Sequence, residues 1–80
     1  MMVNVKLYAA LQKYAPSGTD VGEAFSVELE SGTILELIEE LGIEEELASI
    51  VMVNGIQVID MNHALQVDDL VVIFPPIGGG

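Results

Sequence analysis

An α+β fold, a mixed sheet of about five strands packed on one main helix, is predicted by three features of the sequence. Apolar residues alternate with polar ones at Val3, Val5 and Leu7 and again at Phe25, Val27 and Leu29, the period of a half-buried strand. Ile34, Leu37, Ile38 and Leu41 recur at i, i+3, i+4 and i+7, which is one face of a helix. Leu70 to Phe74 is apolar throughout and reads as a central strand, with neighbours on both edges and packing on both faces.

Taken in order, the opening strand turns Tyr8 to its less buried face. Leu11, Tyr14 and Ala15 then fall at helical spacing in a short segment closed by Pro16-Ser17-Gly18. A second strand holds Phe25, Val27 and Leu29. Thr33 is placed to cap the main helix, and Glu36, three residues on, completes a capping box; Gly42 stands where a glycine cap ends it. Glu44, Glu45 and Glu46 read as a polar turn before Leu47, either a solvated charge run or a binding feature. Ile50 to Val53 and Ile56 to Ile59 are β-branched runs joined by Asn54-Gly55, a strong short hairpin signal. Asp68 and Asp69 suit a turn, and Pro75-Pro76 stops the last strand because proline has no ladder donor. Strand, strand, helix, strand, strand, strand, with the helix laid across the sheet, is the β-grasp (ubiquitin-like) architecture. It is expected to span residues 1–77, with 78–80 as an extended glycine tail.

At 80 residues the chain fills one domain, since a chain of this size buries only about 60% of its unfolded surface. No apolar run approaches the roughly 20 residues of a membrane span, and the alternating N-terminus shows no secretory signal; a cytoplasmic location is expected. With no cysteine, the chain has no disulfide, thiolate metal site or thiol nucleophile. Thirteen acidic residues against Lys6 and Lys13 give a formal charge of −11. That field repels nucleic acid. It either steers a partner with a basic surface or serves solubility.

Catalytic constellations are scarce. His63 is the one histidine, lacks the companions of a zinc site, and reads as a loop or strand-end residue. No metal ligand set is expected. Gly78-Gly79-Gly80 precedes no helix and so forms no phosphate-cradling loop. What remains is Phe74-Pro75-Pro76-Ile77-Gly78-Gly79-Gly80: two prolines launch an extended segment, and glycines without a Cβ make its tip thin enough to thread a narrow site. The reacting group there is the carboxylate of Gly80. With an α-carboxyl pKa of about 3.3 to 3.7 it is ionised at neutral pH, a competent nucleophile toward the α-phosphate of ATP.

This ending resembles the Phe-Pro-Pro-x-x-Gly-Gly terminus of the small subunit of molybdopterin synthase, with Gly79 and Gly80 as the diglycine. The likeness extends over essentially the whole chain, through the strand from Val3 to Ala9, the Asn54-Gly55 region, His63-x-Leu65 and the acidic turn before the last strand. Where that family often has Asp-Gly-Asp, this chain has Val67-Asp68-Asp69. The related thiamine-pathway sulfur carrier also ends in diglycine, but Phe74-Pro75-Pro76 is more similar to the molybdopterin branch. The resemblance implies that a ubiquitin-activating-type enzyme adenylates Gly80 with ATP and magnesium, that sulfur transfer leaves a thiocarboxylate, and that the synthase large subunit receives the tail. The chain itself binds no cofactor and is a carrier subunit, its partners supplying the catalytic residues.

The same resemblance places Tyr8, Val58 and Phe74 in a hydrophobic docking patch on the sheet face away from the helix, the alternative being that they fill the core. Pro75, Pro76, Ile77 and Gly78 complete the partner-binding segment. Rival functions are sulfur donation to thiamine or transfer RNA, a protein modifier conjugated through Gly80, and a plain interaction domain with an inert tail.

Overall fold

The computed structural model describes residues 1–77. Five strands, β1 (Met2–Leu7), β2 (Phe25–Glu28), β3 (Ile50–Val53), β4 (Ile56–Gln57) and β5 (Leu70–Phe74), form one mixed sheet in the spatial order β2-β1-β5-β3-β4. The central pair, β1 with β5, is parallel; β1 with β2, β5 with β3 and β3 with β4 are antiparallel. One α-helix, α1 (Ile34–Leu41), lies across one face, and 3₁₀ turns occupy Ala9–Tyr14 and Glu45–Leu47. This is the β-grasp arrangement. Among the described residues no helix is long and apolar enough to cross a membrane.

The period-2 alternation puts Val3, Val5 and Leu7 of β1, Val51 of β3, and Val71 and Ile73 of β5 on the helix side of the sheet, all buried. Ile34, Leu37 and Ile38 meet them from α1, and Leu11, Leu29, Ile43, Ala48 and Leu65 close the margins. Truncating one of the leucines or isoleucines among them to alanine typically costs about 2 to 5 kcal/mol.

The start of α1 is satisfied donor by donor. Thr33 Oγ1 accepts from Glu36 N–H (3.1 Å), while the Ile34 and Leu35 N–H groups donate to the carbonyls of His63 (3.2 Å) and Met61 (2.8 Å). A loop distant in sequence thus supplies acceptors that a helix N-terminus lacks. The capping box forms by half. Instead of returning to the Thr33 N–H, the Glu36 carboxylate reaches upstream, accepting from the N–H groups of Glu30, Ser31 and Gly32 and from the Ser31 hydroxyl at 2.7 to 2.8 Å. The turn before the helix presents several donors where the box offers one. At the other end Gly42 adopts the left-handed conformation (φ 80°), and Ile43 N–H bonds Ile38 O at 2.9 Å, a Schellman closure.

The bond from the Ser31 hydroxyl, with help from the Glu30 amide, holds the Glu36 carboxyl down at about 2 against an ordinary 4.5. A folded-state pKa below the unfolded value gives stability that is complete above the unfolded pKa and is lost as pH falls through the folded one. Glu36→Gln should therefore be less stable than the parent by a margin that is full at pH 7 and closes between about pH 4.5 and 2. Denaturant melts of both proteins across that range measure it, and a gap independent of pH would assign the effect to geometry alone.

Two expectations change. The hairpin turn is as read, with Asn54 and Gly55 both at positive φ (51° and 85°) as a type I′ turn requires, but its second arm is a strand only over Ile56–Gln57, followed by one further bond from Val58 N–H, and Ile59 is exposed. The central strand has neighbours on both edges but is covered by the described residues on one face only. Leu70, Val72 and Phe74 are half-buried on the side away from the helix, outside the core cluster.

Candidate functional site

The uncovered face of the sheet is built by register. Along β5 it carries Leu70, Val72 and Phe74; Ile50 stands opposite Phe74 and Met52 opposite Val72 on β3, and Lys6 stands opposite Val72 on β1. Each is half-buried. The parallel pairing runs one residue beyond β1, with Tyr8 N–H donating to Ile73 O at 3.3 Å. That extension lays Tyr8 beside Phe74, and their rings stack with centroids 5.1 Å apart and planes 14° from parallel, an arrangement worth about 0.5 to 1.5 kcal/mol beyond its buried area.

The sheet ladder ends at Phe74, whose carbonyl accepts from Ser49 N–H at 3.0 Å. Beyond it Pro75 and Pro76 offer no N–H, so the chain leaves the sheet. An open groove of about 430 Å³ lies at this exit, lined by Ala9, Ile50, Phe74, Pro75, Pro76 and Ile77. Ile77 is 87% exposed. Ala9 reaches the groove through a left-handed backbone (φ 52°) just after Tyr8. A wholly apolar lining with no charged group suits the burial of an apolar anchor from a partner.

Tyr8, Phe74, Pro75, Pro76 and Ile77 are thus brought together at the edge of one face, and the first two lie outside the core. Val58 is not with them. Its N–H donates to Val51 O at 2.9 Å, continuing the register that pairs Met52 with Gln57, so Val58 shares the helix side with Val51 and packs against the core. The type I′ turn fixes this: a two-residue loop leaves Met52 and Gln57, not Val58, on the open face. Gly78, Gly79 and Gly80 lie outside the described residues. Sequence reasoning missed Ala9, Ile50 and Met52; the signal for the last two was an apolar residue at every position of β3, when one buried face accounts for only half of them.

The remaining polar residues have structural work. His63 holds α1 through its main-chain carbonyl. Asp69 accepts from Asn54 Nδ2 and Gln66 N–H, both at 2.8 Å, and Asn54 Oδ1 in turn accepts from Leu70 N–H at 2.9 Å, tying the hairpin turn to the start of β5. Asp68 stands at φ 67°, at the turn position where the resembled family often has glycine; aspartate is among the few residues that tolerate that conformation. The exposed Glu44–Glu46 run leads into the 3₁₀ turn Glu45–Leu47, where a hydrogen bond with Glu44 pushes the Glu46 carboxyl up. Among the described residues, no three metal-ligating side chains gather.

A β-grasp domain whose central strand runs from an apolar sheet face into Phe-Pro-Pro and a glycine end is a ubiquitin-like carrier. The ThiS family model matches residues 5–80, and the chain belongs to the ThiS family of ubiquitin-like sulfur carriers. Such carriers are not catalysts themselves. Among solved structures it is similar to SAMP1 from Haloferax volcanii (23% identity, all of both chains, TM-score 0.69). It is also similar to a chain described as molybdopterin converting factor subunit 1 from Pyrococcus furiosus (28% identity, 95% of this chain and 98% of that one, TM-score 0.68). A third similar structure is the complex of subunits 1 and 2 of the molybdopterin-converting factor of Helicobacter pylori 26695 (22% identity, all of both chains, TM-score 0.63). No curated protein matches the sequence.

Proposed function

We propose that the chain is the sulfur-carrying small subunit of a molybdopterin synthase. The observation that supports this most is the continuity of the open apolar face with the chain exit: Tyr8 and Phe74 stack where β5 passes into Pro75, Pro76 and Ile77. A partner that grips the face receives the tail in a fixed direction. The 28% identity to the Pyrococcus subunit points to the same branch, and the Helicobacter complex gives a second subunit as the kind of partner to expect.

The chemistry takes place on Gly80. Its carboxylate oxygen attacks the α-phosphorus of ATP, held with magnesium by a ubiquitin-activating-type enzyme, and pyrophosphate leaves. A sulfide equivalent attacks the acyl carbon and AMP leaves, so one C–O bond is exchanged for C–S and a thiocarboxylate results. The large subunit then takes the tail, the sulfur attacks a carbon of the pterin precursor and displaces an oxygen substituent, and water cleaves the acyl C–S bond, leaving the sulfur on the pterin and returning the Gly80 carboxylate. ATP dependence sets this work in the cytoplasm. With its activating enzyme, ATP, magnesium and sulfide, the protein should exchange one oxygen for one sulfur at Gly80, which intact mass and C-terminal fragmentation would locate. Sulfur on an internal residue would defeat the reading.

The likeness to SAMP1, a small archaeal modifier protein, over the full length of both chains supports one second reading, conjugation through Gly80 to lysines of other proteins. Partners captured from the native cell separate the two: a synthase subunit in one case, many unrelated conjugates in the other. Capture of a thiazole synthase or a transfer-RNA thiolase would move the acceptor to those pathways.

A further inference from the structure

The sheet has two free edges, and they differ. On one side β4 is two residues long. On the other β2 runs four residues, Phe25-Ser26-Val27-Glu28, without the proline, lysine or bulge that commonly blunts an edge.

The register with β1 fixes which main-chain groups are free. Leu29 N–H donates to Met1 O at 2.8 Å and the Met1 amino group to Leu29 O at 2.9 Å, so residues 1 and 29 form a hydrogen-bonded pair. Alternation makes Val3 with Val27 and Val5 with Phe25 hydrogen-bonded pairs as well, which turns the N–H and C=O of Ser26 and Glu28 outward. Beside this edge, on the helix side, lies a groove of about 390 Å³ lined by Tyr14, Pro16, Phe25, Val27, Glu40 and Leu41.

We propose that this edge takes an extended segment of another protein as an added strand, one in which apolar and basic residues alternate. The period of 2 gives the pattern. Side chains on the helix side of the incoming strand lie against Phe25, Val27 and Leu41, and those on the other side lie beside Ser26 and Glu28. Charge gives the sign. Among the described residues Glu28, on the face that meets the basic side chains, is paired only with the chain's own amino group, and the whole protein carries −11. A second copy is the wrong occupant, because joining two β2 edges brings Glu28 and Glu40 of both copies and two strongly anionic bodies together. The edge is separated from β5 by β1, so the added strand leaves the Tyr8–Phe74 face free, and a carrier held here still presents its tail.

The test uses the full chain and a capped heptapeptide, Val-Lys-Val-Lys-Val-Lys-Val, with the lysines replaced by aspartates as control. At saturation, hydrogen exchange of the Ser26 and Glu28 amides should slow by about tenfold or more, the cost of breaking the new bonds, while the resonances of Tyr8 and Phe74 stay in place. Glu28→Gln, which removes the carboxylate on the face that meets the lysines, should weaken binding by up to about fivefold. Ser26→Pro removes an outward N–H that β1 does not use, and should weaken binding about tenfold. The proposal is overturned if the peptide leaves those two amides unchanged, if the aspartate peptide binds equally well, or if the amides are protected without peptide in proportion to protein concentration, which would make the edge a self-interface. None of these outcomes involves Gly80, so the sulfur-carrier reading stands or falls separately.

Discussion

Deleting Gly80 should abolish adenylation while leaving the domain folded and its affinity for the activating enzyme intact. The core is complete at Ile73, and the open apolar groove ends at Ile77. What changes is reach. The new carboxylate, on Gly79, stops about 3.3 to 3.6 Å short of the α-phosphorus. A misplacement of even about 1 Å in an attacking group can cost about 10²-fold in rate, so a whole residue should remove the reaction. Pyrophosphate exchange reports adenylation, calorimetry reports binding, and a melting curve reports the fold. Exchange at the parental rate from the shortened chain would show that the terminal carboxylate is not the nucleophile.

Phe74→Ala should do the converse, weakening partner affinity by on the order of 2 kcal/mol or more if the ring is a central anchor, and leaving adenylation recoverable at saturating enzyme. The open-face position of Phe74 decides how the result is read. A core phenylalanine truncated to alanine would cost about 3 to 5 kcal/mol of stability. This ring packs on Tyr8 across the open face and lies outside the core cluster, so the melt should lose little beyond the stacking contribution of about 0.5 to 1.5 kcal/mol. Binding lost with the melt nearly unchanged assigns Phe74 to docking. An unfolded variant would return it to the core and remove the support for the face as an interface. Tyr8→Ala should follow the same course, and the double variant should lose less than the sum because the two rings act as one unit.

Much of the fold was legible because it rests on local rules. The caps at Thr33 and Gly42, the type I′ turn at Asn54-Gly55 and the helix face of Ile34, Leu37 and Ile38 each follow from neighbouring residues in the chain. The parts that were not legible depend on distant partners. An unbroken apolar run at Leu70–Phe74 has the same letters whether its second face meets its own chain or another protein, and here no layer of the described residues covers it. The run Ile56–Ile59 gives no sign that the pairing ends with the Val58 N–H and leaves Ile59 exposed. The face of Val58 is set by counting across the hairpin from Val51, and assignment by resemblance alone put it on the wrong side. The acceptors from Met61 and His63 at the head of α1 are main-chain carbonyls, and no side-chain pattern announces them. In the site itself, Tyr8 and the Phe-Pro-Pro exit could be read directly, whereas Ala9 enters the groove only through its unusual backbone.

The parallel pairing of β1 with β5 joins segments from opposite ends of the chain, a closure slow to nucleate because most of the polypeptide must be looped before any contact rewards it. Before β5 inserts between β1 and β3, Tyr8 and Phe74 are strangers, and the groove at Pro75 has no walls. A newly made or damaged copy bears the same glycines but lacks the assembled apolar face. Under the function proposed above, completion of the sheet would license the molecule for activation, reserving an energy-consuming step for carriers that have finished folding.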